Sequence, residues 1–210
     1  MPGVESVDGR VYRRTISLDG AAGVLEVHPG GEDHLLFRAH LPYWEGLIHV
    51  GERVSRMIGL DADPSTRRGT RVPGAWGPLE VATHAILAQD CSLTDAAVYM
   101  GALVQSLGQP VPGLTHGLTH LFPSAEVLAG ADLSPIAIPR AAAEPIRALA
   151  FGLTSGDIVL DGSLALAELL ASLSAIPGIG TVAANEIALR LDPRAAATHS
   201  DMRALASPVL

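Results

Sequence analysis

The 210-residue sequence contains no lysine; its 14 basic residues are all arginine. A mechanism that needs a lysine Schiff base or a phosphate-loop lysine is thereby excluded. Cysteine occurs once, at Cys91. A single thiol cannot build a disulfide framework, a cysteine-based zinc site or a four-cysteine iron–sulfur cluster within one chain. Aromatic residues make up only 4%, so any core has to be built from Ala, Leu, Val and Ile. No apolar run reaches the roughly 20 residues that a bilayer-spanning helix needs. The first residues, Met-Pro-Gly-Val-Glu-Ser, lack a basic start and an apolar stretch. No signal peptide is expected, and a cytoplasmic address is the default. Positive charge is scarce as well, with a formal net charge of −8. For a nucleic-acid binder this is the wrong sign, because affinity rests largely on basic groups meeting phosphates. A local basic face or backbone N–H contacts would have to compensate.

What is present is enough apolar material, 48% of residues, for one medium domain or two small ones. The runs Val11–Leu18, Gly23–Val27 and Leu35–His40 read as strands, with Asp19-Gly20 and Pro29-Gly30-Gly31 as turns between them. Arg13 and Arg14 within the first run are read as a solvated face. Trp44, Leu47, Ile48, Val54, Met57 and Ile58 recur at helical spacing, which predicts one amphipathic helix over Tyr43–Leu60. The polar stretch Asp61–Pro73, with Pro64, Gly69 and three arginines, reads as a boundary. The expected division is a β-β-β-α unit over 1–63, a linker over 64–75 and a helical unit over 76–210.

Everything beyond the linker is helical in pattern. Helices are expected over Leu79–Gln89, from Ser92 to Leu107, from Ser124 to Gly130, over Ala141–Leu153, over Leu164–Leu173 behind a Ser163 cap, and over Thr181–Leu191. A last short helix is expected from Ser200 or Asp201. Ser92 with Asp95 resembles a capping box. Pro145 fits its helix only if the first turn begins near Ala143, since proline is tolerated there and disruptive later. Residues 109–120 read as a Gly/Pro-rich loop.

Two motifs carry potential chemistry. Ile176-Pro-Gly-Ile-Gly180 is a tight turn that opens a helix. Its glycines permit close approach of a phosphate to backbone N–H groups at a positive helix end. It is equally a plain Pro-Gly turn between two packed helices. Asp201, in the polar patch Thr-His-Ser-Asp, is a carboxylate able to stabilise a cationic, oxocarbenium-like sugar and to orient a water. It is also an ordinary first-turn Asp of a helix. His116 and His120 have metal-ligand spacing only if helical, and the surrounding glycines and prolines argue for a loop. His199, Ser200 and Asp201, as sequence neighbours, cannot converge into a hydrolase triad, and no nucleophile-elbow motif is present. Cys91 has no basic residue beside it in sequence to lower its pKa.

Taken in order, Arg71-Val-Pro-Gly-Ala-Trp76, Ala85-Ile-Leu-Ala-Gln89-Asp-Cys-Ser92, Leu121-Phe-Pro123, Ile138-Pro-Arg140, Ile176-Pro-Gly-Ile-Gly180, Ala188-Leu-Arg190 and Asp201 resemble the helix-hairpin-helix DNA glycosylase superfamily. The match is nearest to its bacterial 3-methyladenine glycosylase II (AlkA-type) branch. The fold this implies is α+β, a small antiparallel sheet plus one helix followed by an all-α helix-hairpin-helix unit. The implied activity is base excision repair: an alkylated base is flipped from duplex DNA and its N-glycosidic bond hydrolysed. Asp201 matches the essential aspartate. Gly178, Ile179 and Gly180 match the phosphate-holding hairpin. Gln89 and Asp90 match the lesion gap, and Val182 and Glu186 match the base pocket. No organic cofactor or catalytic metal is implied, beyond a monovalent cation held by hairpin carbonyls. The implied partner is double-stranded DNA, with neither a membrane nor an obligatory protein partner. Absence of lysine agrees with a monofunctional enzyme that uses water.

The departures from the family pattern are specific. Val182 stands where the family has Trp, Glu186 where it tends to have an aromatic, and Asp90 where it has an apolar or amide residue. Stacking contributes roughly 1–3 kcal/mol per base, so a weakened grip on alkylated purines is expected. The chain also stops nine residues after Asp201, where family members continue for several helices. A C-terminus shorter than the family's is therefore expected. The alternative is a non-catalytic DNA-binding relative.

Overall fold

The computed structural model describes residues 1–43, 47–60 and 76–191. The expected linker over 64–75 and the final helix near Asp201 lie outside the described residues.

Four strands, β1 (Glu5–Asp8), β2 (Val11–Leu18), β3 (Ala21–Pro29) and β4 (Leu35–His40), form an antiparallel meander in sequence order. The sequence pattern contains β2 and β4 to the residue and the centre of β3. It misses β1, whose Ser-Val-Asp run is too polar to read as a strand. Alternation places Arg14, Ile16 and Leu18 of β2 on one buried face, and Arg14 stands opposite Leu25 in the register. Helix α1 (Leu47–Met57) stops short of the expected Leu60, because the chain turns at 58–60. Its Val50, Val54 and Met57 pack against Ile16, Leu18, Leu25 and Val27, and Trp76 closes that cluster.

Arg13 and Arg14 are not a solvated face. Arg13 reaches across to its register partner Glu26, Nε to Oε1 2.7 Å. Arg14 is only 2% exposed. Its Nη2 donates to both carboxylate oxygens of Glu80 on the first helix of the helical part, each at 2.7 Å. The guanidinium also lies 5.7 Å from the Trp76 ring centroid. Burial pushes the Glu80 carboxyl up, while the guanidinium pulls it down. The two-pronged contact, and the upward shift of Arg14 caused by Glu80, favour the ionised pair. The charges are paired because a buried guanidinium without a carboxylate is too costly.

Helices α2 (Pro78–Leu87), α3 (Leu93–Leu107), α4 (Ala125–Gly130), α5 (Arg140–Ser155), α6 (Leu166–Ser174) and α7 (Thr181–Leu191) form the helical part. A 3-10 turn over Ala88–Asp90 joins α2 to α3. Ser92 caps α3 as expected, its Oγ accepting from the Asp95 N–H at 3.1 Å. Two details differ from expectation. Helix α5 begins at Arg140, so Pro145 lies inside it. Helix α6 begins at Leu166 behind Ala165. Ser163 instead donates its N–H to Asp161 in the preceding turn, at 2.8 Å. Residues 109–121 contain a minimal strand pair, β5 (Gln109–Pro110) and β6 (His120–Leu121). The Thr15 hydroxyl of β2 donates to the His120 carbonyl at 2.7 Å, which ties the meander to the helical part.

The helical core is small-residue and aliphatic: Ala82, Ala85 and Ile86 of α2, Met100 and Leu103 of α3, Ile146 and Leu149 of α5, Leu173 of α6, and Ala183, Ala184, Ile187 and Ala188 of α7. The alanine-rich faces of α2 and α7 let those two helices approach closely. That approach brings the 88–90 turn beside the turn between α6 and α7.

Candidate nucleic-acid interface

Helices α6 and α7 with the five residues Ile176–Gly180 form a helical hairpin. Ile176 and Ile179 are buried, 7% and 6% exposed, and anchor the turn from below. Each removes an aliphatic side chain from water, a contribution of about 1.5–3 kcal/mol. Pro177 and Gly178 between them, and Gly180 after them, stay exposed. Two backbone bonds close the turn, Ile176 N–H to the Leu173 carbonyl and Ile179 N–H to the Ile176 carbonyl, both 3.1 Å. Gly178 has φ +90°, a conformation that L-residues with a Cβ avoid.

Gly178 also rests on Pro145. A Cβ built there would lie 2.5 Å from the proline Cγ. This contact gives the proline inside α5 a structural reason: its ring supplies a stiff, apolar seat for the turn, at the expense of one helix hydrogen bond. The signal was in the sequence, since a proline in the middle of an Ala-rich helical run contradicts local propensity.

Gln89 joins the hairpin. Its Oε1 accepts from the Gly180 N–H at 2.6 Å, and its Nε2 donates to the Gly178 carbonyl at 3.0 Å. Nε2 also lies 3.2 Å from the Ile86 carbonyl of α2. The sequence singled out Gln89 but not this clasp across 91 positions. Asp90 is the exposed end of the same turn.

Val182 and Glu186 stand one turn apart on α7. Val182 is 61% exposed. Glu186 is half-buried and paired with Arg190, Oε1 to Nε 2.5 Å. The neighbouring His84 of α2 has its pKa lowered, by burial first and then by Arg190. The structure therefore brings Gln89, Asp90, Gly178, Ile179 and Gly180 together at one end of the α6–α7 hairpin, with Val182 and Glu186 following along α7. Asp201 lies outside the described residues.

The remaining candidates fall elsewhere. His116 sits in the loop before β6 with φ +58°. The His120 ring Nδ1 meets the Thr119 hydroxyl at 2.8 Å. Among the described residues no group of three or more His, Cys, Asp or Glu side chains could hold a metal ion. The Cys91 thiol donates to the Leu87 carbonyl at 3.1 Å. Its pKa is raised by desolvation and by Asp95 and Asp90, which keeps it from acting as a thiolate. No helix among the described residues is long and apolar enough to cross a membrane.

Residues 1–67 match the AlkA N-terminal domain family. Over 207 residues the chain is 33% identical to a Mycobacterium tuberculosis protein named "Probable bifunctional transcriptional activator/DNA repair enzyme AlkA", covering 90% of this chain and 42% of that one. It is 27% identical to DNA-3-methyladenine glycosylase 2 of Escherichia coli, covering 89% and 71%. The chain is similar to AlkA-type helix-hairpin-helix glycosylases. Solved structures share the fold. A 3-methyladenine DNA-glycosylase from Archaeoglobus fulgidus superposes with a TM-score of 0.70 at 23% identity, over 87% of this chain and 69% of that one. The Clostridium acetobutylicum 8-oxoguanine glycosylase/lyase bound to double-stranded DNA gives 0.61 at 14%, over 90% and 78%. In this chain the meander, the hairpin and the Gln89 turn form one connected framework. The chain spans less than half the length of its Mycobacterium relative.

Proposed function

We propose that this chain is a base-excision-repair glycosylase that hydrolyses the N-glycosidic bond of alkylated bases, of the 3-methyladenine type, in duplex DNA. The observation that carries the reading is the hairpin: an exposed Pro177–Gly180 turn, anchored by Ile176 and Ile179, at the N-terminus of α7. Such an end attracts phosphate through N–H groups and the helix dipole. That mode of holding DNA does not require a basic surface, which suits a chain of charge −8. Carbonyls of the same turn are candidates to hold a monovalent cation. Gln89 and Asp90 face the lesion gap, and Val182 and Glu186 border the base.

In the reaction, the bond between the base nitrogen and C1′ breaks and the base leaves with the electron pair. An alkylated purine already carries positive charge, so it leaves without needing a strong acid. The Asp201 carboxylate stabilises the oxocarbenium-like sugar and directs a water to C1′. The water oxygen bonds to C1′ and its proton is released. Within this reading residues 1–63 and 76–210 are separate units joined by 64–75, and the address is cytoplasmic.

The test is release of 3-methyladenine or 7-methylguanine from alkylated duplex by the purified chain and by its Asp201→Asn variant. Release that is lost in the variant supports the mechanism. Equal release in both overturns the role of Asp201. Duplex binding without release by either makes the chain a non-catalytic DNA-binding relative.

A further inference from the structure

We infer that Gln89 is a gate on the phosphate seat of the hairpin, occupying the Gly180 N–H until an anion displaces it. The inference rests on the phosphate-holding part of the proposed function and says how that seat opens.

The geometry is that of a stand-in. An amide oxygen sits 2.6 Å from the Gly180 N–H, where an anion oxygen would accept the same bond. The amide nitrogen of the same side chain takes the Gly178 carbonyl at 3.0 Å. One planar group thus satisfies both a donor and an acceptor of the turn, and the Gly180 N–H cannot also point at a phosphate. The fit is tight: a Cβ at Gly180 would lie 3.0 Å from Oε1. The Ile86 carbonyl, 3.2 Å from Nε2, selects the orientation that turns Oε1 towards Gly180.

The clasp is built to open. Gln89 is half-exposed and Gly178 and Gly180 are exposed, so water takes over each bond that is given up, and the net cost of opening is that of about one neutral hydrogen bond. A phosphate oxygen carries charge, and a charge-assisted bond is roughly twice as strong as a neutral one. Phosphate therefore outcompetes the amide. The Ile86 bond ties Gln89 to the end of α2, so its release frees the 88–90 turn, including Asp90, at the moment the backbone of DNA is seated. The gap-facing turn and the phosphate seat are coupled through one side chain.

The experiment follows the Gly180 amide resonance of the full chain by NMR while inorganic phosphate is added, in wild type, Gln89→Ala and Gln89→Glu. Removal of the competitor lowers the half-saturating phosphate concentration in Gln89→Ala by roughly threefold to tenfold, the equivalent of one neutral hydrogen bond. Gln89→Glu keeps the acceptor, adds a repelling charge, and abolishes the response. Gln89→Ser serves as a second variant and behaves as the alanine does. Phosphate binding in Gln89→Ala or Gln89→Ser that is unchanged, weaker or absent overturns the gate.

Undamaged duplex, titrated against the same variants, separates the gate from the function. Tighter duplex binding by Gln89→Ala supports both. If the phosphate series is as expected but duplex leaves every variant unbound, the gate stands and the DNA reading falls. If wild type binds duplex but Gln89→Ala binds inorganic phosphate no more tightly than wild type, the gate falls and the DNA reading stands.

Discussion

The Arg14 guanidinium of β2 grips both oxygens of Glu80 on α2 at 2.7 Å, and this pair joins the Thr15–His120 bond in holding the meander against the helical part. Glu5 lies 3.4 Å from the same guanidinium, and the Tyr12 hydroxyl donates to Glu5 at 2.6 Å. Removing Arg14 leaves Glu80 buried without its partner, and removing the Glu80 charge leaves Arg14 with only the longer contact to Glu5. Glu80→Gln or Arg14→Met should each destabilise the chain by about 3–5 kcal/mol. Arg14→Met with Glu80→Leu should cost much less than the sum, because no charge is then left uncompensated. Urea unfolding of the four proteins checks this. Additive losses would show that the two side chains are not coupled.

The two glycines of the hairpin should differ. Gly178→Ala forces a Cβ onto φ +90° and to 2.5 Å from the ring of Pro145, which cannot swing away. A loss of about 1–3 kcal/mol follows from the strained backbone alone, and duplex binding should fall with it. Gly180→Ala meets only the end of the Gln89 side chain, which can rotate. It should cost clearly less in a thermal melt. A larger loss for Gly180→Ala would mean that Pro145 is not the seat of the turn.

The sign of a pH effect is fixed by His84. Its folded pKa lies below the ordinary 6.5, because burial and Arg190 disfavour the cation. The folded state thus binds fewer protons than the unfolded one. The stability this contributes is present above pH 6.5 and is lost as pH falls from there through the folded value. Glu80, raised by burial, acts in the opposite direction, and Glu5, lowered by Arg14, acts only at more acidic pH. The comparison of wild type with His84→Gln isolates the histidine. Between about pH 7 and 5 the wild type should lose stability more steeply than the variant. Parallel curves would show that His84 keeps its charge in the fold.

The strands and helices were legible where one physical signal dominated. Val11–Leu18 and Leu35–His40 are β-rich between turn residues, and Ser92 with Asp95 fixes the start of α3. The hairpin was legible because proline and two glycines restrict the backbone locally. Long-range pairing was not. Arg14 looks like any polar residue of a half-exposed strand until Glu80, 66 positions away, is in place. Pro145 inside α5 contradicted local propensity and was misplaced to a first turn, because its partner Gly178 is a contact that no local pattern encodes. The Gln89 clasp was invisible for the same reason. Its residue was singled out by resemblance, and its hydrogen bonds follow from the packing of α2 on α7.

Val182 offers a way to strengthen the proposed base site. The side chain is 61% exposed on the first turn of α7, so a larger residue enters without displacing the core formed by Ala183, Ala184 and Ile187. An indole at this position adds an aromatic face beside Glu186, which Arg190 already holds by a 2.5 Å ion pair. Base stacking on such a face contributes roughly 1–3 kcal/mol, which corresponds to about fivefold or more in affinity. Val182→Trp should therefore raise kcat/KM for release of 3-methyladenine from alkylated duplex by at least that factor and leave the affinity for undamaged duplex within about twofold. The gain should vanish in the Val182→Trp, Asp201→Asn double variant, since stacking holds the base but does not stabilise the sugar. A Val182→Trp protein that folds, binds duplex and releases base no faster than wild type would place Val182 away from the base.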